Sequence, residues 1–223
     1  MRLEEALEPL RALCNKPMDT IIEGLPGDLR INKGRVGQLL ELYLGLTLGN
    51  DHTDFEDGEL KTNKVRPNGK PRETIFLTQI SKDIDNLIST PPVPFEHSQV
   101  YTKIKKVVVV PVVKDGPERD WSFGHIYLVD LENEIELRTQ LQEDYHSITN
   151  QLVDHIATDP KGFIHTSSGK YLQIRSKDSK PYHPIFSEML GQYISDKNHA
   201  FYFKWDFMLH LRDQGPRYRI CNH

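Results

Sequence analysis

The chain has only two cysteines and no long apolar run, and each shortage excludes a class of protein. Cys14 and Cys221 stand near opposite ends of the 223 residues, and no pattern pairs them. We therefore expect reduced thiols and a cytoplasmic location rather than a disulfide framework. No stretch of about 18 apolar residues occurs, so we expect no membrane-spanning helix. The acidic start, Met1–Glu5, does not have the pattern of a signal peptide.

Phosphate-binding loops and zinc motifs are missing as well. The sequence contains neither the GxxxxGK pattern of nucleotide-binding loops nor a GxGxxG motif. His165, His183, His199 and His210 lack zinc-finger spacing, and no pair of nearby cysteines accompanies them. These absences argue against P-loop NTPases, dinucleotide-binding enzymes and zinc fingers.

Charge is unevenly distributed, although the net charge is only -4. Residues 130–144 are acidic, whereas residues 100–106 and 161–180 are basic. A protein that grips a phosphate backbone needs only one basic face, so the small net charge does not exclude nucleic-acid binding. The alternative is that these charge runs are simply solvated.

Apolar periodicity predicts an irregular mixture of helices and strands. The helices are expected at residues 3–14, 35–46, 134–157, 183–196 and 205–212. The strands are expected at residues 58–65, 73–78, 107–113, 170–175 and 200–204. Asn68-Gly69 favours a hairpin between the first two strands, and Pro111 suggests a bulge or an edge strand. This order is typical of an α/β or α+β protein with a mixed sheet.

The strongest chemical signal is the acidic segment that ends in Glu59-Leu60-Lys61. Because side chains alternate along a strand, Glu59 and Lys61 should share one face while Leu60 points into the core. Asp54, in the preceding turn, can bring a second carboxylate to that face. Two carboxylates and a backbone carbonyl suit Mg²⁺, so the pattern favours metal-assisted phosphodiester hydrolysis. The alternative is a solvated strand face with a surface ion pair.

Glu41 stands out as a carboxylate within an otherwise apolar helix. Such a helix is expected to be central and buried. Glu41 would then either lie at the helix edge in solvent or add a further acid to the metal site.

The sequence resembles the MutH family of DNA endonucleases, which includes mismatch-repair nicking enzymes and related type II restriction enzymes that recognise GATC. The segments that carry the resemblance follow the family's order: 29–41, 54–62, 69–76, 100–107, 140–145, 169–177 and 200–204. Several motifs in one order are far more specific than a single motif.

The resemblance implies a role for ten residues. The catalytic set would be Asp54, Glu59 and Lys61, with Asp54 and Glu59 as metal ligands. Glu41 would support it near the metal and Lys103 near the phosphate. The DNA-binding positions would be Lys33, Glu73, Arg175, Lys177 and Tyr202.

Two positions depart from the family's pattern. Its usual spacing between aspartate and glutamate would place His52, a poor Mg²⁺ ligand, at the aspartate position. We therefore align on Asp54-Phe55, and Asp51 and Asp57 remain alternative ligands. Ser176 stands where the family's DNA-reading segment has a proline.

The resemblance also implies a fold and a setting. The fold would be α/β (α+β), with a restriction-endonuclease-like core in which helices flank a central mixed β-sheet. Residues 1–223 would form a single domain, with a catalytic lobe of about residues 1–115 and a DNA-reading lobe of about 116–223. The setting would be a prokaryotic cytoplasm, with a monomer or transient dimer acting on double-stranded DNA.

Three functions follow from this resemblance. The first is a type II restriction enzyme that cuts a short site, expected to be GATC, with Mg²⁺ or, in its place, Mn²⁺. The second is a mismatch-repair nicking enzyme activated by repair proteins. The third is a non-catalytic DNA-binding module.

Overall fold

The structure is a computed structural model that describes residues 1–21, 35–47, 53–117 and 120–221. The helices are α1 (Leu3–Leu13), α2 (Arg35–Tyr43), α3 (Ile84–Ile88), α4 (Gln99–Ile104), α5 (Ile135–Thr158), α6 (Trp205–Asp213) and α7 (Gly215–Tyr218). The strands are β1 (Glu59–Val65), β2 (Ile75–Gln79), β3 (Lys106–Val113), β4 (Ser122–Phe123), β5 (Tyr127–Asp130), β6 (Ser167–Ser168), β7 (Leu172–Ser176), β8 (Ile185–Ser187), β9 (Gln192–Ser195) and β10 (His199–Phe203). This content confirms the expected mixed α+β class.

Two compact units divide the chain. The first consists of Met1–Glu73, Ile104–Leu131 and Met208–His223. The second consists of Thr74–Lys103 and Glu132–Phe207. The lobes expected at about residues 1–115 and 116–223 stay a prediction.

A mixed sheet forms the centre of the first unit. Its β1 and β3 are parallel, in a register that runs from Glu59↔Val107 to Val65↔Val113. On its other side, β3 pairs antiparallel with both β4 and β5. Because β3 has neighbours on both sides and is buried, it reads as a nearly continuous apolar run.

Pro111 lies inside this central strand, so the expected edge position is wrong. On its antiparallel side, β3 pairs with β5 up to Val109 and with β4 from Val112. Pro111 falls in the gap between these two partners. There its carbonyl accepts a hydrogen bond from Gly124 N at 2.8 Å. The strand therefore tolerates a residue that has no amide hydrogen to donate.

One face of this sheet is covered by α1 and α2. Leu60 and Val108 belong to a buried apolar cluster with Leu3, Leu10 and Leu40. Because neighbouring residues alternate faces, this packing leaves Glu59 and Lys61 on the opposite face of β1. The helix expected at residues 35–46 ends earlier, at Tyr43, and is followed by Gly45 with a φ of 74°.

The second unit contains an antiparallel sheet with the order β2-β10-β7-β6 and a separate β8–β9 hairpin. The long helix α5 packs against β6 and β7. A tight turn forms at residues 66–70 as expected, but β2 pairs with β10 and not with β1. The chain does fold back at this turn, through an antiparallel bridge between Val65 and Pro71. The expected pairing of the strand at 58–65 with the strand at 73–78 is wrong.

The helix expected at residues 183–196 is also wrong, because this segment forms β8 and β9. Ile185 and Ser187 are buried while Phe186 between them is 39% exposed, which is the alternation of a strand. Gly191, with a φ of 65°, provides the turn between β8 and β9. A two-residue alternation over so few positions resembles part of a helical pattern.

Cys14 and Cys221 form a disulfide, contrary to the expectation of unpaired thiols. Their Cα atoms lie 5.8 Å apart. The end of the chain is held beside α1 and β5, because Arg11 Nε donates to Ile220 O at 3.2 Å and Ile126 N contacts Cys221 Sγ at 3.2 Å. Sequence spacing alone does not reveal such a meeting of the two ends.

Within the part of the chain that the structure describes, no helix is both long and apolar enough to cross a membrane.

Candidate active site

Glu59 and Lys61 form a close ion pair on the face of β1 opposite to Leu60. The Glu59 side chain is fully buried, and Lys61 Nζ donates to its Oε2 at 2.7 Å. Because an uncompensated charge in such a place is costly, the carboxylate depends on its partner. Pairing with Val107 and Val109 of β3 fixes the strand that carries both side chains.

Asp54 joins this pair from the preceding turn. Its Oδ2 accepts a hydrogen bond from Leu60 N at 2.8 Å and lies 3.8 Å from Lys61 Nζ. The turn itself is held by a bridge in which Phe55 N donates to Gly58 O at 2.9 Å. The carboxylates of Asp54 and Glu59 therefore converge on one ammonium group.

Glu41 interacts electrostatically with the same group of side chains. It is half-buried on α2, and this burial raises the pKa of its carboxyl. The negative charge of Asp54 raises that pKa further, while the positive charge of Lys61 opposes the shift. Glu41 thus lies within electrostatic reach of the cluster, as the sequence pattern allowed.

The alternative ligand Asp57 is engaged elsewhere. Its Oδ1 accepts a hydrogen bond from Leu3 N at 2.8 Å, and its Oδ2 lies 3.0 Å from Lys106 Nζ. Asp57 therefore caps the N-terminus of α1, where the helix dipole favours a negative charge. Two other candidates, Lys33 and Asp51, lie outside the described residues, as does His52.

The donor set at β1 fits a hard divalent cation. Among the described residues, no group of three His, Cys, Asp or Glu side chains is arranged to hold a metal ion. Mg²⁺ is commonly held by one or two carboxylates and keeps several waters. Asp54 and Glu59 supply two carboxylates, and in this structure the Lys61 ammonium provides the positive charge between them.

Glu73 and Lys103 were also expected to act on DNA. Glu73 is exposed in the first unit, where its Oε1 accepts from Lys64 N at 3.2 Å and its carbonyl accepts from Asn63 Nδ2 at 3.0 Å. Lys103 lies on α4 in the second unit and is half-buried.

Three expected DNA-reading residues come together in the second unit around a fourth, Phe76. The Arg175 guanidinium carbon lies 4.4 Å from the centre of the Tyr202 ring, and Arg175 Nη2 donates to Thr74 Oγ1 at 2.8 Å. Lys177 Nζ lies 3.4 Å from the centre of the Phe76 ring. The two rings meet edge to face at 5.8 Å, and the Tyr202 ring is buried. The cations therefore lie against the two rings and form one cluster with them, which presents the two cations as a surface.

The environment of this surface changes two ionisation equilibria. Burial lowers the pKa of Lys177. Burial also raises the pKa of Tyr202, and the charge and hydrogen bond of Arg175 oppose that rise. Sequence analysis missed Phe76, whose place opposite Tyr202 depends on the pairing of β2 with β10.

Asp178 fixes the backbone that follows β7. Its carboxylate accepts hydrogen bonds from His183 N at 2.6 Å and from Asn198 N at 2.9 Å. These bonds hold its pKa well below the usual range. Lys177 N in turn donates to Asn198 O at 2.8 Å, so the loop that begins at Lys177 is tied to the start of β10.

Asp144 plays a similar part before β7. This buried carboxylate on α5 accepts hydrogen bonds from the backbone of Lys170 at 2.7 Å and Leu172 at 2.9 Å. The helix approaches so closely that a Cβ on Gly169 would lie 2.5 Å from Asp144 Cγ. The strand β7, which carries Arg175, is therefore anchored at both ends by aspartates that sequence reasoning assigned to no role.

Comparison with known proteins identifies the family. The family profile described as "DNA mismatch repair enzyme MutH" matches residues 44–144. A DNA mismatch repair protein MutH of Yersinia pseudotuberculosis is 32% identical over 189 residues, which cover 81% of this chain and 77% of that protein. The chain belongs to the MutH family. The family expected from the sequence motifs is thus confirmed.

Other comparisons accompany this assignment. A MutH protein of Vibrio cholerae serotype O1 is 34% identical over 158 residues, which cover 69% of this chain and 66% of that protein. Among solved structures, the restriction endonuclease MvaI in complex with cognate DNA matches with a TM-score of 0.41 and 13% identity, over 92% of this chain and 95% of that one. The family assignment rests on the sequence relatives.

Proposed function

We propose that the protein is a Mg²⁺-dependent DNA endonuclease that hydrolyses phosphodiester bonds at a short sequence, with GATC as the expected site. The observation that carries this proposal is the convergence of Asp54 and Glu59 on Lys61, at the position of the family's catalytic motif. Membership of the MutH family supports it. The substrate is double-stranded DNA in the cytoplasm of a prokaryotic cell.

The roles of the residues follow from their chemistry. Asp54 and Glu59 would hold Mg²⁺, or Mn²⁺ in its place, through carboxylate oxygens. When bound, the ion stabilises negative charge on the scissile phosphate and makes a bound water more acidic. The Lys61 ammonium orients the attacking water or a phosphate oxygen. Glu41 keeps a further negative charge near the site, and Lys103 neutralises phosphate charge.

Arg175, Lys177 and Tyr202 would read the DNA, with Glu73 and Lys33 as further contacts. Arg and Lys side chains match guanine O6 and N7 in the major groove, and a glutamate accepts from the cytosine amino group. The aromatic faces of Tyr202 and Phe76 hold the two cations in fixed directions. Side chains held in fixed directions are better suited to hydrogen bonding with particular base edges than to non-specific contact with the phosphate backbone.

Two biological roles share this chemistry. The names of the relatives favour mismatch-repair nicking by a protein that repair partners activate. A type II restriction role, in which the protein acts alone as a monomer or transient dimer, is the second candidate. Ser176 stands where the family's DNA-reading segment has a proline. This departure bears on the target sequence and not on the reaction.

Plasmid cleavage by the purified protein with Mg²⁺ tests both the proposed nuclease activity and the choice between the two biological roles. Unmethylated and adenine-methylated plasmids containing GATC are incubated with the protein alone, and the termini are sequenced. Double-strand cutting at one short site supports the restriction role, and slow nicking that repair proteins stimulate supports the repair role. Tight binding without cleavage supports the non-catalytic module. Cleavage that persists in Glu59→Ala would show that the active site lies elsewhere.

A further inference from the structure

A cavity of about 640 Å³ lies in the first unit, beside the far end of β1. Val65 and Val113, a register pair of β1 and β3, form part of its wall. By strand alternation, Val65 shares a face with Glu59 and Lys61. Neither of those two residues lines the cavity, so it is separate from the candidate active site.

The charge of the cavity lining is positive. Arg212 and Arg219 line it, and its lining residues include no aspartate or glutamate. Arg212 Nη2 contacts Asp213 Oδ1 at 2.7 Å, but the Asp213 side chain is 58% exposed. Arg212 Nε also donates to this oxygen at 2.8 Å. Because an exposed ion pair contributes little to stability, an anion in the cavity can compete with Asp213 for Arg212.

Neighbouring groups hold Arg219 in place beside the cavity. A Cβ on Gly215 would lie 2.6 Å from Arg219 Cζ, so only a glycine lets the guanidinium lie this close to α7. Arg219 also forms a hydrogen bond to the hydroxyl of Tyr127, a further lining residue. Its Nε is buried and has no hydrogen-bond partner among the described residues. Because the buried Nε is out of a ligand's reach, the terminal nitrogens of the guanidinium are the ones that would contact a phosphate.

The rest of the wall mixes apolar side chains, such as Phe123 and Met208, with polar ones, such as Asn68 and His125. The volume falls within the range of about 300–1,000 Å³ that is typical of small-molecule and cofactor sites. Guanidinium groups match phosphate oxygens with paired hydrogen bonds. A cavity with two guanidinium groups and a wall of mixed polarity therefore suits an anionic group attached to a compact body that is itself partly polar.

We propose that this cavity binds the phosphate of a nucleotide, with Arg212 and Arg219 as the phosphate contacts. A phosphate monoester carries about 1.5 to 2 negative charges at neutral pH, which two guanidinium groups match better than a single carboxylate would. The mixed wall receives the nucleoside, whose sugar and base present both apolar faces and hydrogen-bonding edges. The phosphate comes either from a free nucleotide or from DNA, and the site is independent of the cleavage reaction.

Binding is measured by calorimetry in EDTA, so that no divalent ion supports cleavage. The probes are inorganic phosphate, deoxyadenosine 5′-monophosphate and a short duplex with or without 5′-phosphates. We expect the nucleotide to bind and Arg219→Gln or Arg212→Gln to weaken it by roughly tenfold or more, as loss of a charge-assisted hydrogen bond requires. Arg217→Gln is the matched control, because Arg217 is exposed on α7 and lies outside the lining.

The source of the phosphate follows from competition. Displacement of the nucleotide by the duplex identifies DNA as the source, and a failure to displace it identifies the free nucleotide. Circular dichroism checks the fold of each variant, and Arg212→Gln decides alone if Arg219→Gln does not fold. The proposal is overturned if no probe binds, or if the folded variants bind as tightly as the unaltered protein.

Discussion

The Lys61 ammonium lies 2.7 Å from Oε2 of a glutamate, Glu59, whose side chain has no solvent exposure. Lys61→Ala leaves that buried charge without its partner, so we expect the free energy of unfolding to fall by about 3 kcal/mol or more. Adding Glu59→Gln should recover much of this loss, because no buried charge is then left. Urea unfolding measures both effects.

Lys64→Ala on the same strand is the control for this prediction. The Lys64 side chain is 37% exposed, and its Nζ lies 3.7 Å from Glu73 Oε2. Such a surface ion pair stabilises a protein by at most about 1 kcal/mol. If Lys61→Ala costs no more than Lys64→Ala, the Glu59 charge is compensated in another way.

Glu41 gives the stability a distinct pH dependence. Burial, aided by the charge of Asp54, raises the pKa of Glu41 above its ordinary value of 4.5. The folded state therefore binds the proton of Glu41 more tightly than the unfolded state does. The stabilisation that results is fully present below pH 4.5 and is lost as the pH rises through the raised pKa. Glu41→Gln cannot ionise and so does not suffer this loss. As the pH rises through the raised pKa, the free energy of unfolding of the variant should therefore increase relative to that of the unaltered protein.

Urea unfolding at a series of pH values, without divalent ions, makes this comparison. Glu4→Gln, an exposed change on α1, is the control and should show no such gain. A constant difference between Glu41→Gln and the unaltered protein would mean that Glu41 titrates as it does in solvent.

Asp57 should act in the opposite direction. Burial alone would raise its pKa, but hydrogen bonds from Leu3 and Lys106 lower it below the ordinary 3.8. Its contribution to stability is therefore present above 3.8 and is lost as pH falls through the lowered pKa. Asp57→Asn should cost about 1–2 kcal/mol at neutral pH, because the helix cap loses its charge.

Thermal unfolding over an acid series checks the Asp57 prediction without a second variant. The variant and the unaltered protein should converge at the acid end, where both carry a neutral side chain. A difference that persists there would assign the effect to packing rather than to charge.

Lys177→Gln tests the DNA-reading surface. If Lys177 contacts a base, the change should cost about 1–3 kcal/mol on the specific duplex and much less on a scrambled one. Fluorescence anisotropy in a Glu59→Gln background, which prevents cleavage, measures both affinities. Lys180→Gln, an exposed change in the same loop, should weaken both duplexes equally. An equal loss for Lys177→Gln would make it a phosphate contact.

Local pattern was enough to predict how the side chains of the candidate site in the first unit are arranged. Alternation along β1 places Glu59 and Lys61 together, and the preceding turn adds Asp54 within the next few residues. The sequence left undecided whether Glu41 interacts with this group, because that depends on how α2 packs against β1. Contacts set by neighbours within about seven residues were predictable, and contacts between distant elements were not.

The second unit illustrates the other case. Arg175 and Lys177 came from the family resemblance, but Phe76 reaches Tyr202 only because β10 pairs with β2. The anchors Asp144 and Asp178 act through backbone amides, which leave no trace in side-chain patterns. The β8–β9 hairpin was mistaken for a helix, since its short strands expose apolar side chains such as Tyr193.

The link between Cys14 and Cys221 turns the backbone between them into a closed ring, with a sequence separation of 207. A single protease cut inside this ring releases no fragment, because the disulfide still joins the two pieces. The cut molecule keeps its full mass until a reductant breaks the disulfide. The same closure limits how far the chain can expand when it unfolds. Unfolded protein should therefore migrate faster on a gel without reductant than with it.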